Sequence, residues 1–393
     1  MDPLLPNPGG QLALDEIVGR EREIKRYWRV LDRQSLVLSA ERRIGKTQLV
    51  KKMHGVPREG FVTVYQDLER VHTRMELVDS IYEAARDHLN ASAKVRENIL
   101  SFWQAYVPKK ISATELPEAK AQWKNHLCKA IDAVLDEIPA DHKLLLIWDE
   151  LPLMVDNIQR GEGADAAIQL LDLLRALRAT RPRLRFIFTG SIGLHLVLRA
   201  LRAAGNANAP TNDMLSETVP PMSEAEATEL AERLLLSLPF PPKDFRELAA
   251  TLVERVEGFP YYLHHTVNRL SWLDHQPEPS DLADAIDGLV LADEDPANLA
   301  YYRDRLAKHY SSDEARIARA VLNALSHEAQ PMPFEALCNL VRHASPEVQD
   351  TAVADVCGLL RQDHYLTLEG GASSPRYRYR WAIVKRWWAA TQR

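Results

Sequence analysis

One eight-residue segment, Ala40–Thr47 (AERRIGKT), limits the folds that are open to this chain. It matches the pattern G-x-x-x-x-G-K-[ST], except that Ala40 stands where the first glycine is usual. The pattern needs a strand before it and a helix after it, so that backbone N–H groups at the start of the helix converge on one point. The chain meets both conditions, with an apolar run at Leu36–Leu38 and helical apolar spacing at residues 49–53.

The residue types within this segment are those that bind the phosphates of a nucleotide. Gly45 lets the backbone approach a phosphate without a Cβ in the way, Lys46 reaches the β- and γ-phosphates, and the Thr47 hydroxyl is a magnesium ligand. Alanine is the smallest residue with a Cβ, so it still allows the turn at Ala40. We therefore predict a site for ATP and magnesium, with nucleotide contacts from Ala40, Arg42, Arg43, Ile44, Gly45, Lys46, Thr47 and Gln48.

A second motif is the pair of carboxylates, Asp149 and Glu150, that ends the apolar run Leu144–Trp148. In an open α/β sheet, ligands bind beyond the carboxyl ends of the strands. An aspartate there can hold magnesium through water, and a glutamate one residue later can orient and deprotonate an attacking water. Alone, the pair would be better explained as a solvated strand end. The phosphate loop upstream favours the functional interpretation, with Asp149 as metal ligand and Glu150 as catalytic base.

Further apolar runs indicate the rest of a parallel sheet. Segments Phe61–Tyr65, Leu144–Trp148 and Leu184–Phe188 are short, apolar and followed by a polar residue, as is typical of strands covered on both faces. Long helical segments separate them, including an insertion-like stretch at about 72–138. Strands alternating with helices predict an α/β P-loop NTPase core with a parallel sheet.

Two hydroxyl residues, Thr189 and Ser191, follow the run at 184–188. Either hydroxyl could sense the γ-phosphate or position the water, so both are candidate catalytic residues beside Glu150 and Lys46. An ordinary Ser-Gly turn explains them equally well. The spacing does not decide between the two.

The strand signal ends at Pro220-Pro221, and helical patterns follow. Ser223 and Glu226 have the spacing of a capping box, and residues 275–298 are acidic with no Lys or Arg, which indicates a linker with one short helix. Helices followed by a two-stranded hairpin from about residue 300 predict a winged helix. The predicted segments are a flexible tail at 1–14, the ATPase core at 15–221, a helical lid at 222–274, an acidic linker at 275–299 and the winged helix at 300–393.

The predicted wing has a basic face formed by Arg376, Arg378 and Arg380, with aromatic residues alternating on the other face. Such a face could contact DNA phosphates, or the arginines could simply be solvated. The helix at 333–342 carries Glu335 and few basic residues, which is a poor surface for reading DNA. We therefore expect a protein partner or a homo-oligomer, with DNA as the alternative.

Composition excludes several other classes. The net charge of -6 gives no global reason for binding nucleic acid. Cys128, Cys338 and Cys357 are far apart and form neither a disulfide framework nor a zinc motif. The first residues lack the features of a signal peptide, and no apolar stretch is long enough to cross a bilayer. We expect a cytoplasmic protein with no membrane partner.

With these motifs placed, the chain resembles the AAA+-related STAND P-loop ATPases, in particular the archaeal-type ATPase family with a C-terminal winged helix. Four stretches carry the resemblance: residues 17–23 (IVGRERE), 39–47 (SAERRIGKT), 186–193 (FIFTGSIG) and 258–263 (GFPYYL). The resemblance implies that Val18, Gly19 and Arg20 lie near the adenine. It also implies that Pro260, in the helical lid, lies against the base and couples lid position to nucleotide state.

Two departures from the family pattern bear on the activity. The first loop glycine is Ala40, and no unambiguous arginine finger follows the fourth strand, where Arg199 and Arg202 are candidates by position alone. Without a finger, hydrolysis should be slow or should depend on a partner.

Three functions are compatible with these patterns. We predict a magnesium-dependent ATPase that acts as a molecular switch and passes its nucleotide state to the winged helix. The alternative is a DNA-acting AAA+ protein of the origin-recognition or transposition-helper kind. A catalytically inactive scaffold is disfavoured by the intact Lys46, Thr47, Asp149 and Glu150.

Overall fold

The structure is a computed structural model that describes residues 1–88, 122–203, 205, 208–370 and 375–391. Of the insertion-like stretch predicted at 72–138, residues 89–121 lie outside the described residues. The chain divides into two compact units. The sheet unit comprises Arg20–Ala40 and Lys46–Val219, and the helical unit comprises Met1–Gly19, Glu41–Gly45 and Pro220–Arg393.

The sheet unit contains a five-stranded parallel sheet. Its strands are β1 (Leu36–Ser39), β2 (Phe61–Asp67), β3 (Lys143–Asp149), β4 (Leu184–Thr189) and β5 (Leu215–Thr218). The strand order is β2-β3-β4-β1-β5, and every neighbouring pair is parallel. The first four strands were predicted as apolar runs, whereas β5 was missed. At the edge of the sheet, β5 alternates half-buried and exposed residues, so it lacks the apolar run of a central strand.

The helices of this unit cover the sheet and complete its core. They are α1 (Glu21–Leu31), α2 (Lys46–Gly55), α3 (Arg74–His88), α4 (Trp123–Glu137), α5 (Leu151–Glu162), α6 (Ala164–Thr180) and α7 (Leu194–Ala203). Trp148 belongs to this core: it packs against Phe186 and Phe188, and its indole N–H donates to Gln66 Oε1 at 2.8 Å. Burial on both faces explains why β3 and β4 are continuous apolar runs in the sequence.

The helical unit is built mainly from helices after residue 220. Its first six are α8 (Glu224–Leu235), α9 (Phe245–Val256), α10 (Pro260–Leu270), α11 (Pro279–Leu291), α12 (Tyr301–His309) and α13 (Ser312–Ser326). The predicted capping box starts α8: the Glu226 N–H donates to the Ser223 hydroxyl, and the Glu226 carboxylate accepts the Ser223 N–H at 3.0 Å. These bonds satisfy backbone donors that the first turn of a helix leaves unpaired.

The remaining elements of this unit form the predicted winged helix. They are β6 (Met332–Pro333), α14 (Phe334–Ala344), α15 (Asp350–Gln362), β7 (Leu366–Glu369), β8 (Arg376–Tyr379) and α16 (Ala382–Ala390), with a three-stranded antiparallel sheet in the order β6-β8-β7. Tyr379 is buried beneath the wing, and its hydroxyl donates to the Leu322 carbonyl at 2.9 Å. The aromatic side of β8 therefore faces the core, as the alternation in the sequence indicates.

The N-terminal segment also packs in the helical unit. Leu4 is buried and its N–H donates to the Arg233 carbonyl at 3.0 Å, while the Asn7 N–H donates to His264 Nδ1 at 3.0 Å. The domain boundaries predicted from the sequence stay a proposal, and these contacts favour counting residues 1–14 with the helical unit. Of the helices in the described residues, none combines the length and apolar character needed to cross a lipid bilayer.

Candidate nucleotide-binding site

Lys46 is the first residue of α2, directly after the phosphate loop. It is buried at 8% exposure, and its Nζ donates to the Ala40 carbonyl at 2.8 Å. This bond holds the ammonium group next to Ala40, at the start of the loop, instead of letting it extend into solvent. A buried cation at the start of a helix is a strong attractor for phosphate oxygens.

The backbone of the loop explains why alanine is tolerated in place of the first glycine. The positive φ angles of the loop fall at Arg43 (69°) and Gly45 (94°), and Ala40 has none. A positive φ is the backbone conformation that favours glycine most strongly, and Ala40 does not adopt it. The departure at Ala40 is therefore compatible with the fold of the loop.

Thr47 and Asp149 connect the two predicted motifs. The Thr47 hydroxyl donates to Asp149 Oδ2 at 2.7 Å, although the residues are 102 positions apart in the chain. Asp149 is 2% exposed, and this burial raises the pKa of its carboxyl group, against hydrogen bonds that favour the charged form. The Tyr65 hydroxyl also donates to Asp149 Oδ2, at 3.3 Å. Tyr65 lies on the neighbouring strand β2 and was not predicted as a site residue.

Glu150 is held by a single residue from another strand end. The Ser191 N–H donates to its carboxylate oxygens at 2.9 and 3.0 Å, and the Ser191 hydroxyl donates to Oε2 at 2.8 Å. Glu150 has a left-handed backbone (φ 58°), which turns the chain from β3 into α5. Burial raises the pKa of Glu150, and the Ser191 hydrogen bonds oppose that rise.

The two candidate hydroxyls, Thr189 and Ser191, lie in different surroundings. Ser191 binds Glu150, as described above. Thr189 ends β4 at 2% exposure, and among the described residues its hydroxyl has no hydrogen-bond partner. An unpaired buried hydroxyl is costly unless something occupies it, so Thr189 is the better candidate to meet a ligand and Ser191 the better candidate to position Glu150.

The remaining predicted contacts belong mostly to the helical unit. Arg42 lies over the Tyr301 ring at 4.2 Å, and Arg43 lies over the Tyr261 ring at 4.3 Å. Ile44 is buried at 1% exposure. In the sheet unit, the Gln48 Oε1 atom is buried with no hydrogen-bond partner among the described residues.

The segments that the family resemblance placed near the base have distinctive backbones. Gly19 (φ 72°) and Arg20 (φ 76°) both have left-handed conformations directly before α1, and Val18 is half-buried. Pro260 is the first residue of α10. Gly258, two residues earlier, has φ 70°, and a Cβ there would come within 3.0 Å of the Met222 carbonyl. Their roles toward a nucleotide stay predictions.

The wing arginines are engaged within the chain. Arg378 pairs with Glu369 at 2.5 Å, and Arg380 contacts His364 Nδ1 at 3.0 Å. Arg376 donates to the Pro331 carbonyl at 3.3 Å. Arg376 and Arg378 are exposed, so they keep access to solvent, whereas Arg380 is half-buried.

The residues present fit magnesium in the form that accompanies a nucleotide. Within the described part of the chain, no group of three or more His, Cys, Asp or Glu residues could hold a metal ion by itself. Magnesium in nucleotide sites is held by one or two protein ligands together with the substrate phosphates. The Thr47 hydroxyl and the Asp149 carboxylate, 2.7 Å apart, are such a pair.

Comparison with known proteins supports the fold. No family model matches the chain, and no curated protein matches it in sequence. A Walker-type ATPase of Pyrococcus abyssi matches in structure with a TM-score of 0.63 and 16% identity, covering 95% of this chain and 96% of that one. The ORC2 protein of Aeropyrum pernix, solved as ADPNP-ADP complexes, matches with a TM-score of 0.54 and 16% identity, covering 95% and 93%.

These likenesses extend over both units. The chain shares the fold of these two proteins, an α/β core with a parallel sheet followed by helices and a winged helix. The fold class predicted from the sequence is confirmed.

Proposed function

We propose that this protein binds ATP with magnesium and hydrolyses it slowly, as a switch whose nucleotide state is passed to the C-terminal winged helix. The observation that carries the proposal is the hydrogen bond between Thr47 and Asp149. It joins the residue after the phosphate-loop lysine to the acidic end of β3, and this supports a magnesium–nucleotide site at these two motifs. The two structural neighbours, a Walker-type ATPase and a protein solved as ADPNP-ADP complexes, support the same function.

Each residue of the site has a separate task in this proposal. Lys46 neutralises charge on the β- and γ-phosphates. Thr47 and Asp149 would hold magnesium, which would neutralise the charge that develops on the phosphate oxygens. Glu150 accepts a proton from the attacking water, and its raised pKa makes it a better proton acceptor than an exposed glutamate.

The position of Glu150 is the reason to expect slow turnover. Its carboxylate accepts three hydrogen-bond contacts from Ser191. A carboxylate that is already occupied in this way must reorient or share its acceptors before it can hold a water. The two arginine-finger candidates by position, Arg199 and Arg202, lie on α7, where Arg199 is half-buried and Arg202 is exposed. If neither acts as the finger, a partner has to supply this charge.

The test is a measurement of ATP affinity and turnover for the wild type, Lys46→Ala and Glu150→Gln. We expect Lys46→Ala to bind poorly and Glu150→Gln to bind normally while turnover falls by about 10²- to 10⁴-fold. Lys52→Ala is the matched control. It also removes a lysine from helix α2, but Lys52 pairs with the exposed Glu21. If the wild type has no affinity for ATP, the proposed function is wrong.

In this proposal, the winged helix contacts a protein partner or a second copy of the chain. All three wing arginines have partners within the helical unit, and Arg378 is paired with the carboxylate of Glu369. That arrangement leaves less free positive charge for DNA than the sequence pattern indicates. Oligomeric state should be followed by light scattering in the same ATP and ADP samples. A cytoplasmic location stays a prediction from the sequence.

DNA binding is the second candidate function, because Arg376 and Arg378 are exposed and the ORC2 protein shares the fold. It requires ATP-dependent binding to duplex DNA that weakens steeply with salt. Charge reversal at Arg378 should weaken that binding. If the protein does not bind duplex DNA at low salt in the presence of ATP, this candidate function is rejected.

A further inference from the structure

Three consecutive residues of the phosphate loop are each held by an aromatic side chain of the helical unit. Glu41 is 2% exposed, and its Oε2 accepts the indole N–H of Trp381 at 3.3 Å. Arg42 lies 4.2 Å from the centre of the Tyr301 ring, and Arg43 lies 4.3 Å from the centre of the Tyr261 ring. We call these three aromatic residues the loop clamp.

The members of the loop clamp come from distant parts of the helical unit. Tyr261 lies in α10, in the segment predicted as a lid, and Tyr301 begins α12. Trp381 directly precedes α16, at the base of the wing. The loop residues thus contact both the lid segment and the winged helix.

Trp381 is itself fixed by the turn before α10. Its ring packs edge-to-face on Phe259 with centroids 4.5 Å apart. The next residue, Ala382, donates its N–H to Glu257 Oε2 at 2.6 Å. A movement of the wing base would therefore disturb the turn at 257–259 and the loop contact together.

Glu41 is a buried carboxylate, so its hydrogen bonds are important for the stability of the loop. A buried carboxylate is costly unless its oxygens accept hydrogen bonds. Glu41 Oε1 accepts the Arg42 N–H at 2.9 Å, while the other oxygen accepts from Trp381. Loss of the indole donor would remove one of the hydrogen bonds that offset the cost of burying this carboxylate.

Arg43 adds a second reason for the loop to need support. It has a left-handed backbone (φ 69°) although it has a Cβ. Such a conformation is unfavourable for a long side chain and persists only where the surroundings hold it. The Tyr261 ring beneath its guanidinium is one such holding contact.

We propose that the loop clamp keeps residues 41–43 in the conformation that receives nucleotide phosphates, so that the winged helix controls nucleotide affinity through Trp381. This inference rests on the proposed function. The coupling is reciprocal. If the Trp381–Glu41 contact increases the affinity for nucleotide by some factor, bound nucleotide favours formation of that contact by the same factor.

The decisive comparison is between Trp381→Phe and Trp388→Phe. The first variant keeps an aromatic ring at this position and removes the indole N–H that Glu41 accepts, together with the five-membered part of the ring. The second removes an equivalent N–H in the same winged helix, which donates to Asn323 Oδ1 at 2.7 Å. We expect Trp381→Phe to weaken ATP affinity about tenfold and Trp388→Phe to leave it unchanged, as measured by titration calorimetry.

A double-mutant cycle with Glu41→Gln guards against a general loss of stability. If Trp381 acts through Glu41, the effect of Trp381→Phe should largely disappear in the Glu41→Gln background. Equal affinity of the two Trp→Phe variants, or additive effects in the cycle, overturns the loop clamp while leaving the proposed function standing. If the wild type itself fails to bind ATP, the proposed function fails and the loop clamp fails with it.

Discussion

At the scale of single residues, Ser191 holds the carboxylate of Glu150, the candidate catalytic base, and opposes the effect of burial on its pKa. Two donors on one residue, a backbone N–H and a hydroxyl, both point at the Glu150 carboxylate. Hydrogen bonds to a charged carboxylate favour the charged form and lower its pKa. Burial acts in the opposite direction and is the larger effect, so the pKa of Glu150 is raised overall.

We therefore expect Ser191→Ala to raise the pKa of Glu150 further, because one of its donors is lost. A base works only when deprotonated, so the acidic limb of the pH–turnover profile should move to higher pH. Turnover at the plateau should change by no more than about tenfold, since one hydrogen bond is removed. Ser191→Thr keeps a hydroxyl and should restore the wild-type profile. An acidic limb that does not move in Ser191→Ala would show that Ser191 does not act through Glu150.

At the scale of elements, Gly190 lets the end of β4 lie close to the start of α5. A Cβ on Gly190 would come within 2.7 Å of Pro152 Cδ and 3.5 Å of Glu150 Oε2. The proline ring cannot move aside as the end of a flexible side chain could, because its backbone is fixed in the first turn of the helix.

We expect Gly190→Ala to destabilise the protein by ~1–3 kcal/mol, the usual cost of overpacking, and to lower ATP turnover by displacing Glu150. Gly358→Ala is the matched control, because a Cβ there meets no atom within 4 Å and the residue lies inside helix α15. In a helix interior, alanine should stabilise by ~0.5–1 kcal/mol. Thermal unfolding should show a lower melting temperature for Gly190→Ala and a higher one for Gly358→Ala. An unchanged melting temperature for Gly190→Ala would contradict this view of the turn.

Elements also show where sequence patterns are sufficient. Strands β1 to β4 could be predicted because burial on both faces requires continuous apolar runs, which are local in the sequence. The capping box at Ser223 and Glu226 is equally local. Strand β5 could not be predicted, because an edge strand with alternating exposure resembles an ordinary loop segment.

At the scale of the whole molecule, we expect His264 to make the stability of the protein depend on pH. It is 4% exposed and accepts the N–H of Asn7, which holds the N-terminal segment. Burial is the main cause that lowers the pKa of His264 to about 4, from a usual value near 6.5. Above the usual value, both folded and unfolded states are neutral, and this residue contributes no pH dependence.

Between these two values, the unfolded state binds a proton that the folded state does not, so stability falls as pH falls. The loss should reach at most roughly 3 kcal/mol by pH 4. His264→Gln can still accept the Asn7 N–H but does not titrate, so the slope of melting temperature against pH should become shallower between pH 6.5 and 4. His265, whose pKa is also lowered to about 4, should keep part of that slope.

The control for this prediction is His275→Gln, because His275 is an exposed histidine of the same unit. It should leave the slope below pH 6.5 close to that of the wild type. A slope that stays unchanged in His264→Gln would show that His264 is protonated without cost in the folded state.

The sequence alone determined the local parts of this protein. The phosphate loop, the acidic end of β3, four strands and the winged-helix pattern depend on spacing and side-chain type within short segments, which the chain carries in linear order. Such signals also identified Lys46, Thr47, Asp149 and Glu150 as candidate site residues.

Only the tertiary structure decided which of these residues meet and what else meets them. Strand order and register place Ser191 on Glu150 across 41 positions and Tyr65 on Asp149 across 84. Packing within the helical unit places Trp381 on Glu41 across 340. Contacts at such separations depend on how the whole chain packs, and no short segment contains a signal for them. For that reason the sequence left Thr189 and Ser191 undecided, while the packing of the folded chain gave each a separate place.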